Sequence, residues 1–284
     1  MGSMLQTIPR QGWRGELELS FVRHGGRSVI ERRAHAGPLL IQRALYPEDP
    51  AVCHVVLVHP PGGLAATDSL SVQATLHPGA HALLTTPGAA KWYRSGSADT
   101  AESSMQITLH ANSVLEWLPR ESIAFDAARV NSRLQVKLSP QARFFGWEIV
   151  CFGRRASGER FARGHVDLST RIERGGRLLW LERARIDPES GFLESTVGLL
   201  GYSVCGTFLI AGAAIEDGVL RACRALSTGN EDSRFGITRV PSLLIARYLG
   251  HSAEDAFNWF ASLWCVLRPQ VLGMAPAMPR IWAC

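Results

Sequence analysis

The sequence predicts a mainly β protein, a stacked, sandwich-like set of many short strands with a small helical element near the C-terminus. Three observations carry this. Short apolar or alternating runs recur through the first two thirds of the chain, and Gly- and Pro-rich turns separate them at short intervals. Apolar spacing of the helical kind is confined to the last fifth. The 284 residues are 46% hydrophobic and 19% charged, enough to bury a core without disulfides or metal staples, and no stretch has a linker's composition. A single unit over residues 1–284 is expected. Met1-Gly2-Ser3-Met4 reads as a cloning remnant, and no signal peptide is expected.

The elements follow in order. Gly15 to Val22 alternates as a half-buried strand. Val55 to Val58 is a buried run stopped by Pro60-Pro61-Gly62-Gly63. Ser71 to Leu76 leads into Pro78-Gly79, and Ala82 to Thr86 into Pro87-Gly88. Met105 to Leu109, Val114 to Leu118, Leu134 to Leu138 and Phe144 to Phe152 keep the same rhythm. Hairpins are expected around Gly175-Gly176, joining arms within Arg171 to Leu181, and around Asp217-Gly218, with Val219 to Leu226 as an arm. Ser195 to Ile215 is uncharged and long enough to cross a bilayer. Gly198, Gly201, Gly206 and Gly212 interrupt it, which favours two buried strands and no membrane span. The helical element is placed at 241–268. Pro241 suits a first turn, Leu243 to Leu249 runs to a Gly250 cap, and Ser252 with Asp255 forms a second start. Ala256, Phe257, Phe260, Leu263, Trp264 and Leu267 then make an apolar stripe that Pro269 ends. No repeat of fixed period is visible.

Formal charge is +5, and 28 of the 30 basic residues are arginine, Lys91 and Lys137 being the exceptions. The arginines are scattered without a dense basic stripe, so no nucleic-acid partner is expected. Six cysteines form no C-x-x-C pair and read as free thiols in a reducing, cytoplasmic setting. No P-loop, no G-x-G-x-x-G after a strand and no H-E-x-x-H is present. Gly201-Tyr202-Ser203-Val204-Cys205-Gly206 is one residue too long for a nucleophile elbow. His77 and His81 flank Pro78-Gly79, and His54 and His59 fall on opposite strand faces, so neither pair signals a permanent metal site. The chain reads as no enzyme.

Acids in apolar settings stand out. Glu148 lies within Phe144-Phe145-Gly146-Trp147-Glu148-Ile149-Val150-Cys151-Phe152, where parity puts it on a face with Phe144, Val150 and Phe152. Such a carboxylate is paired, protonated or beside water, because burying it bare is costly. Glu116 in Val114-Leu115-Glu116-Trp117-Leu118 meets the same constraint, Glu121 follows at once in Leu118-Pro119-Arg120-Glu121, and Asp68 is the only formal charge between Asp49 and Lys91. Arginine pairing would neutralise any of them. Alternatively, several oxygen ligands on a wet path could pass a divalent ion through weak, replaceable contacts. Lys91-Trp92-Tyr93-Arg94 combines cations and aromatics at a strand end, suited either to a partner or to a cation packed on a ring.

Five ordered motifs resemble the UreD (UreH) urease accessory protein family. They are His59-Pro60-Pro61-Gly62-Gly63-Leu64-Ala65-Ala66-Thr67-Asp68; Thr85-Thr86-Pro87 through Lys91-Trp92-Tyr93-Arg94; Leu115-Glu116-Trp117-Leu118-Pro119-Arg120-Glu121; Trp147-Glu148-Ile149 through Gly153-Arg154 to Phe161; and Leu267-Arg268-Pro269 with Pro279-Arg280-Ile281-Trp282. The chain departs from the family in two places. A glycine is common there where Ala66 or Thr67 stands, and Pro-Gln-Glu is common where Pro119-Arg120-Glu121 sets a cation beside the acid. The resemblance implies a non-enzymatic nickel-insertion chaperone with no permanently bound cofactor. It would join UreF and the GTPase UreG on apo-urease, in a dimer of such heteromeric complexes, with GTP entering only through UreG. Nickel would transit an internal water-filled tunnel, with Asp68, Glu121 and Glu148 as polar residues on the route; Glu116 rests on the residue argument alone. The rival readings are an all-β hydrolase using Glu116 and Glu121, and a structural adaptor whose acids are all arginine-paired.

Overall fold

Alternating apolar residues require each strand to bury one face, and here the strands do so by stacking in register on one another. The computed structural model describes residues 12–283, so the expected remnant at residues 1–4 lies outside the described residues. The strands are Arg14–His24 (β1), Arg27–Ala36 (β2), Leu40–Ile41 (β3), Val52–Val58 (β4), Gly63–Leu64 (β5), Ser69–Leu76 (β6), His81–Thr85 (β7), Ala90–Trp92 (β8), Ala101–Leu109 (β9), Val114–Trp117 (β10), Ser122–Ala124 (β11), Arg129–Leu138 (β12), Arg143–Phe152 (β13), His165–Arg174 (β14), Arg177–Ile186 (β15), Val204–Ala211 (β16), Arg234–Val240 (β17) and Leu243–Gly250 (β18). The helices are Asp217–Arg224 (α1) and Ala253–Leu272 (α2).

One sheet runs β15-β14-β12-β9-β6-β1-β2, and the other follows β17-β18-β16-β13-β10-β7-β4-β3. From β4 to β14 the chain passes repeatedly between them. Successive visits pair in parallel: β6 with β9, β9 with β12, β12 with β14, and likewise β4 with β7, β10 and β13 in turn. The short strands β5, β8 and β11 stack as a third, smaller face that joins β13. The corners closing successive coils are built alike. Gly79, Asn112 and Gln141 occupy equivalent places, each with a left-handed φ, 73°, 59° and 59°. The coils differ in length, which explains why no fixed period shows in the sequence.

The register stacks like on like. Leu76, Leu109 and Leu138 form one inward row, Ala74, Ile107 and Val136 the next. They face Cys53, Ala82, Leu115 and Phe144 of the second sheet in one core. The second sheet's opposite face carries Leu83, Phe145, Trp147 and Phe208, which α2 covers with Phe257, Phe260 and Trp264. The layers are therefore sheet, sheet, helix.

The expected mainly β architecture with a C-terminal helix is present, with four corrections. Leu243 to Leu249 is not helical but forms β18, hydrogen-bonded on both sides by β16 and β17. A short apolar run fits either element, and here burial on both faces selects the strand. The helical element thus starts at Ala253, where Ser252 Oγ accepts the Asp255 N–H. The helix also continues through Pro269 to Leu272, because in the last turn a missing N–H removes only one bond; Gly273 closes it with φ 69°. The expected arm at Val219 to Leu226 lies mostly in α1, which buries Leu220 and Cys223 and sets Asp217 in its first turn and Arg221 and Arg224 in its last. Finally, Ser195 to Ile215 holds one strand, β16, after a series of turns in which Val197 is exposed. The Gly175-Gly176 hairpin forms between β14 and β15 as expected. No helix among the described residues is long and apolar enough to cross a membrane.

Candidate functional site

Between the two sheets the packing leaves a cavity of about 300 Å3. Its walls are β6, β9 and β12 on one side and β4, β10 and β13 on the other, with the β8 and β11 loops at one end. Serines stand where larger side chains would close it, Ser103 on β9 and Ser132 on β12. His59, Lys91 and Arg120 line the loop end; Glu148 lies at the β12–β13 end.

Glu148 is on the inter-sheet face of β13, as parity requires, opposite Thr207 on β16. Its carboxyl is enclosed by protein, and the accessible surface it retains borders the cavity. Among the described residues no arginine pairs with it, and its one hydrogen bond there comes from Ser132 Oγ at 3.5 Å. Burial, reinforced by the charge of Glu182 and only partly offset by Ser132, raises its pKa to about 7. Both protonation states are therefore accessible at neutral pH, and the charged form gains from any cation that arrives.

The other sequence candidates do not converge on Glu148. Asp68 is buried and spends its carboxylate on backbone: Trp13 N–H and Ala65 N–H donate to it, both at 2.7 Å. It ties the start of β1 to the turn before β6, where Thr67 has a φ of 71°, a conformation that favours glycine. Its charge also acts on His59 at the cavity's loop end, against the burial that lowers the His59 pKa. Glu121 lies 3.6 Å from Arg120 Nε, the pairing that its sequence neighbour suggested, and Arg120 stacks 4.2 Å above the Phe257 ring. Glu121 also helps raise the Cys151 thiol, which belongs to the helix-side core.

Glu116 points away from the cavity, toward α2. It is fully buried and accepts from Trp264 Nε1 at 2.5 Å and from Arg268 Nε at 3.2 Å, with His81 Nε2 2.7 Å away. Arg268, also fully buried, donates through both terminal nitrogens to Glu48 at 2.8 Å, and Glu48 meets His54 Nε2 at 2.7 Å. Two acids, one guanidinium and two imidazoles thus bind α2 to the second sheet. His81 and Arg268 hold the Glu116 carboxyl below its ordinary range despite its burial. Arginine pairing therefore accounts for Glu116 and Glu121, and backbone donors account for Asp68. Among the described residues, Glu148 alone of the four candidates lacks such a partner.

The aromatic–cation cluster divides. Trp92 is 3% exposed and packs with Phe152, Phe161 and Val130, so the structure removes it from any surface contact. Its apolar ring fills the space beneath β8 and β11. Tyr93 stands edge-on to Phe125, Lys91 lines the cavity, and Arg94 is exposed. Sequence reasoning missed Glu182 and Arg247, which pair beyond Glu148, and the whole Glu48–His54–Arg268 set. Parity could have found Glu182, which shares the inward face of β15 with Trp180 and Ile186. Among the described residues, no three His, Cys, Asp or Glu side chains converge to hold a metal ion.

Fold and site together define a two-sheet, coiled β protein that encloses a cavity ending on an unpaired acid. The model of the UreD urease accessory protein family matches residues 13–283. Proteins named urease accessory protein UreD are similar throughout. That of Azoarcus sp. (strain BH72) is 45% identical over 271 residues, covering 95% of this chain and 94% of the relative. That of Dechloromonas aromatica is 45% identical over 273 residues with the same coverage, and that of Pseudomonas aeruginosa is 44% identical over 272 residues, covering 95% of both chains. The chain belongs to the UreD family of urease accessory proteins.

Proposed function

We propose that this chain acts in the cytoplasm as a non-catalytic nickel-insertion scaffold, holding UreF and UreG on apo-urease and conducting nickel through its inter-sheet cavity. The observation that carries the conduit is Glu148: the one carboxylate among the described residues that lines the internal cavity, with no cation paired to it there, whereas Glu116 and Glu121 are engaged elsewhere. Nickel is cargo, so the route needs donors that bind weakly and release. A lone carboxylate beside a serine hydroxyl meets that need better than a closed set of nitrogen and sulfur ligands. Asp68 and Glu121 belong to this route as supports of its walls: Asp68 fixes the turn before β6, and Glu121 is next to the lining residues Arg120 and Ser122. GTP enters only through UreG, and nothing is held permanently.

The test is urease maturation in cells carrying a urease operon. Without this chain, urease is expected to accumulate without nickel; restoring the chain restores metal and activity. Glu148→Gln should assemble with its partners yet deliver less nickel. Full nickel loading by a folded Glu148→Gln chain would refute the conduit.

A further inference from the structure

Helix α2 covers the second sheet, while the outer face of the first sheet meets solvent. Toward the β15 edge that face is not flat. A groove of about 430 Å3 runs along β14, with β12 as one wall and β15 as the other. Register explains its shape. Arg133, Ser169 and Arg183 lie side by side on β12, β14 and β15, so a short hydroxyl side chain forms the floor between two long guanidinium walls. The neighbouring rows on this face bring Arg185 beside Asp167 on one side and Leu181 beside Arg171 on the other. Arginines that are scattered along the sequence are thereby gathered: four line this groove, against Asp167 as the one lining acid among the described residues.

The four cations differ in what they already hold. Arg185 pairs with Asp167 at 3.3 Å, Arg133 with Glu102 of β9 at 3.3 Å, and Arg171 with Glu173. Arg183 is exposed and has no ion pair among the described residues. The single acid of β15, Glu182, faces the other way and pairs with Arg247. The Arg133 and Arg185 side chains are 49% and 60% exposed, so water screens their pairs and either guanidinium can exchange its acid at little cost. Strands two apart in a sheet are about 10 Å from one another, a span across which two arginine side chains can close on one carboxylate from both sides. The planar fork of each matches that group in a way that a point charge does not. Leu181, 41% exposed, adds an apolar contact at the end of the groove. We propose that this groove docks an extended acidic segment of a partner protein, seating one of its carboxylates over Ser169 between Arg133 and Arg183. Charge complementarity selects the occupant, and the outward position of the groove makes it a tether that does not touch the interior. The inference is independent of the path that nickel takes.

The test is fluorescence anisotropy of a labelled peptide of alternating glutamate and serine mixed with the full chain, with folding checked by circular dichroism. The same peptide with glutamine in place of glutamate should not bind, and added salt should weaken the acidic one. Arg183→Gln removes the uncommitted fork and should weaken binding about fivefold, the scale of an exposed ion pair. Arg133→Gln should weaken it less, because that cation is shared with Glu102. Ser169→Asp leaves every arginine in place but sets an acid on the floor, so it should weaken binding at least about tenfold and keeps the test decisive if an arginine variant misfolds. Arg14→Gln removes the same charge from β1, where the side chain is 78% exposed, and should change nothing. If Arg14→Gln weakens binding as much as Arg183→Gln, net charge alone attracts the peptide and the site is wrong. Binding of the glutamine peptide as tightly as the acidic one would refute recognition of a carboxylate. A short single-stranded RNA that displaces the acidic peptide from the parent chain, and that Arg183→Gln no longer binds, would make the occupant a nucleic acid and overturn the proposal.

Discussion

Replacing Glu148 by glutamine is expected to stabilise the protein at neutral and alkaline pH. In the unfolded chain this carboxyl titrates near 4.5; in the fold it titrates near 7. Its folded pKa is raised, so the native state holds a proton that the unfolded state releases. Below 4.5 the group is neutral in both states and costs nothing. Between 4.5 and about 7 stability falls as pH rises, and above 7 the penalty is constant. At ~1.4 kcal/mol per pH unit, that interval amounts to roughly 3 kcal/mol as an order of magnitude. Glutamine keeps the shape and can still accept from Ser132 Oγ, but carries no charge into the interior. Urea unfolding of both proteins from pH 4.5 to 8.5 measures this directly. The midpoints should coincide at pH 4.5 and separate as pH rises, with Glu148→Gln the more stable. A constant offset at all pH values, or a less stable variant at pH 8, would refute the reasoning. An acid kept at this cost points to use rather than packing.

Further expectations follow from the buried groups. Arg268→Met leaves Glu48 and Glu116 without their shared cation and should cost about 3–5 kcal/mol, seen as a fall in Tm of roughly 10 °C; an unchanged Tm would contradict the network. Glu48 and Glu116 both titrate below their ordinary value of 4.5 in the fold, so their contribution is complete above that pH and lost as pH falls below it. Acid unfolding of Glu116→Gln should accordingly show a shallower pH dependence than the parent in that range. Trp92→Ala should destabilise by about 3–5 kcal/mol, whereas exposed Arg94→Ala should stay within about 0.5 kcal/mol. Equal effects at the two positions would mean that Trp92 is not core.

Most strands were legible because burial on one face imposes a period of two, and Pro–Gly turns mark where runs stop. The stacking of those strands was not, since register is a relation between distant segments. Its trace is present in Gly79 and Asn112, residue types that adopt a left-handed φ readily, but not in Gln141, which adopts the same φ at the equivalent corner without that preference. Leu243 to Leu249 misled because an eight-residue apolar strand hydrogen-bonded on both sides lacks alternation. That error also hid Arg247, whose inward orientation beside Ile245 and Leu249 appears only once the segment is a strand. Glu148 was legible from parity alone. The partner of Glu116 was not, because Arg268 lies on a helix far along the chain and no local pattern links them.

The central claim, that nickel reaches urease through the space between the sheets, is tested most directly by plugging that space. Ser132→Met puts a longer apolar side chain at the cavity end beside Glu148 and leaves the outer surface unchanged. Nickel per active site should be measured in urease purified from cells carrying either the parent chain or this variant, with the variant's folding and partner binding verified. Urease recovered with the accessory complex but depleted of nickel is the predicted result. Fully loaded urease from cells with a folded Ser132→Met chain would mean that the metal takes another path.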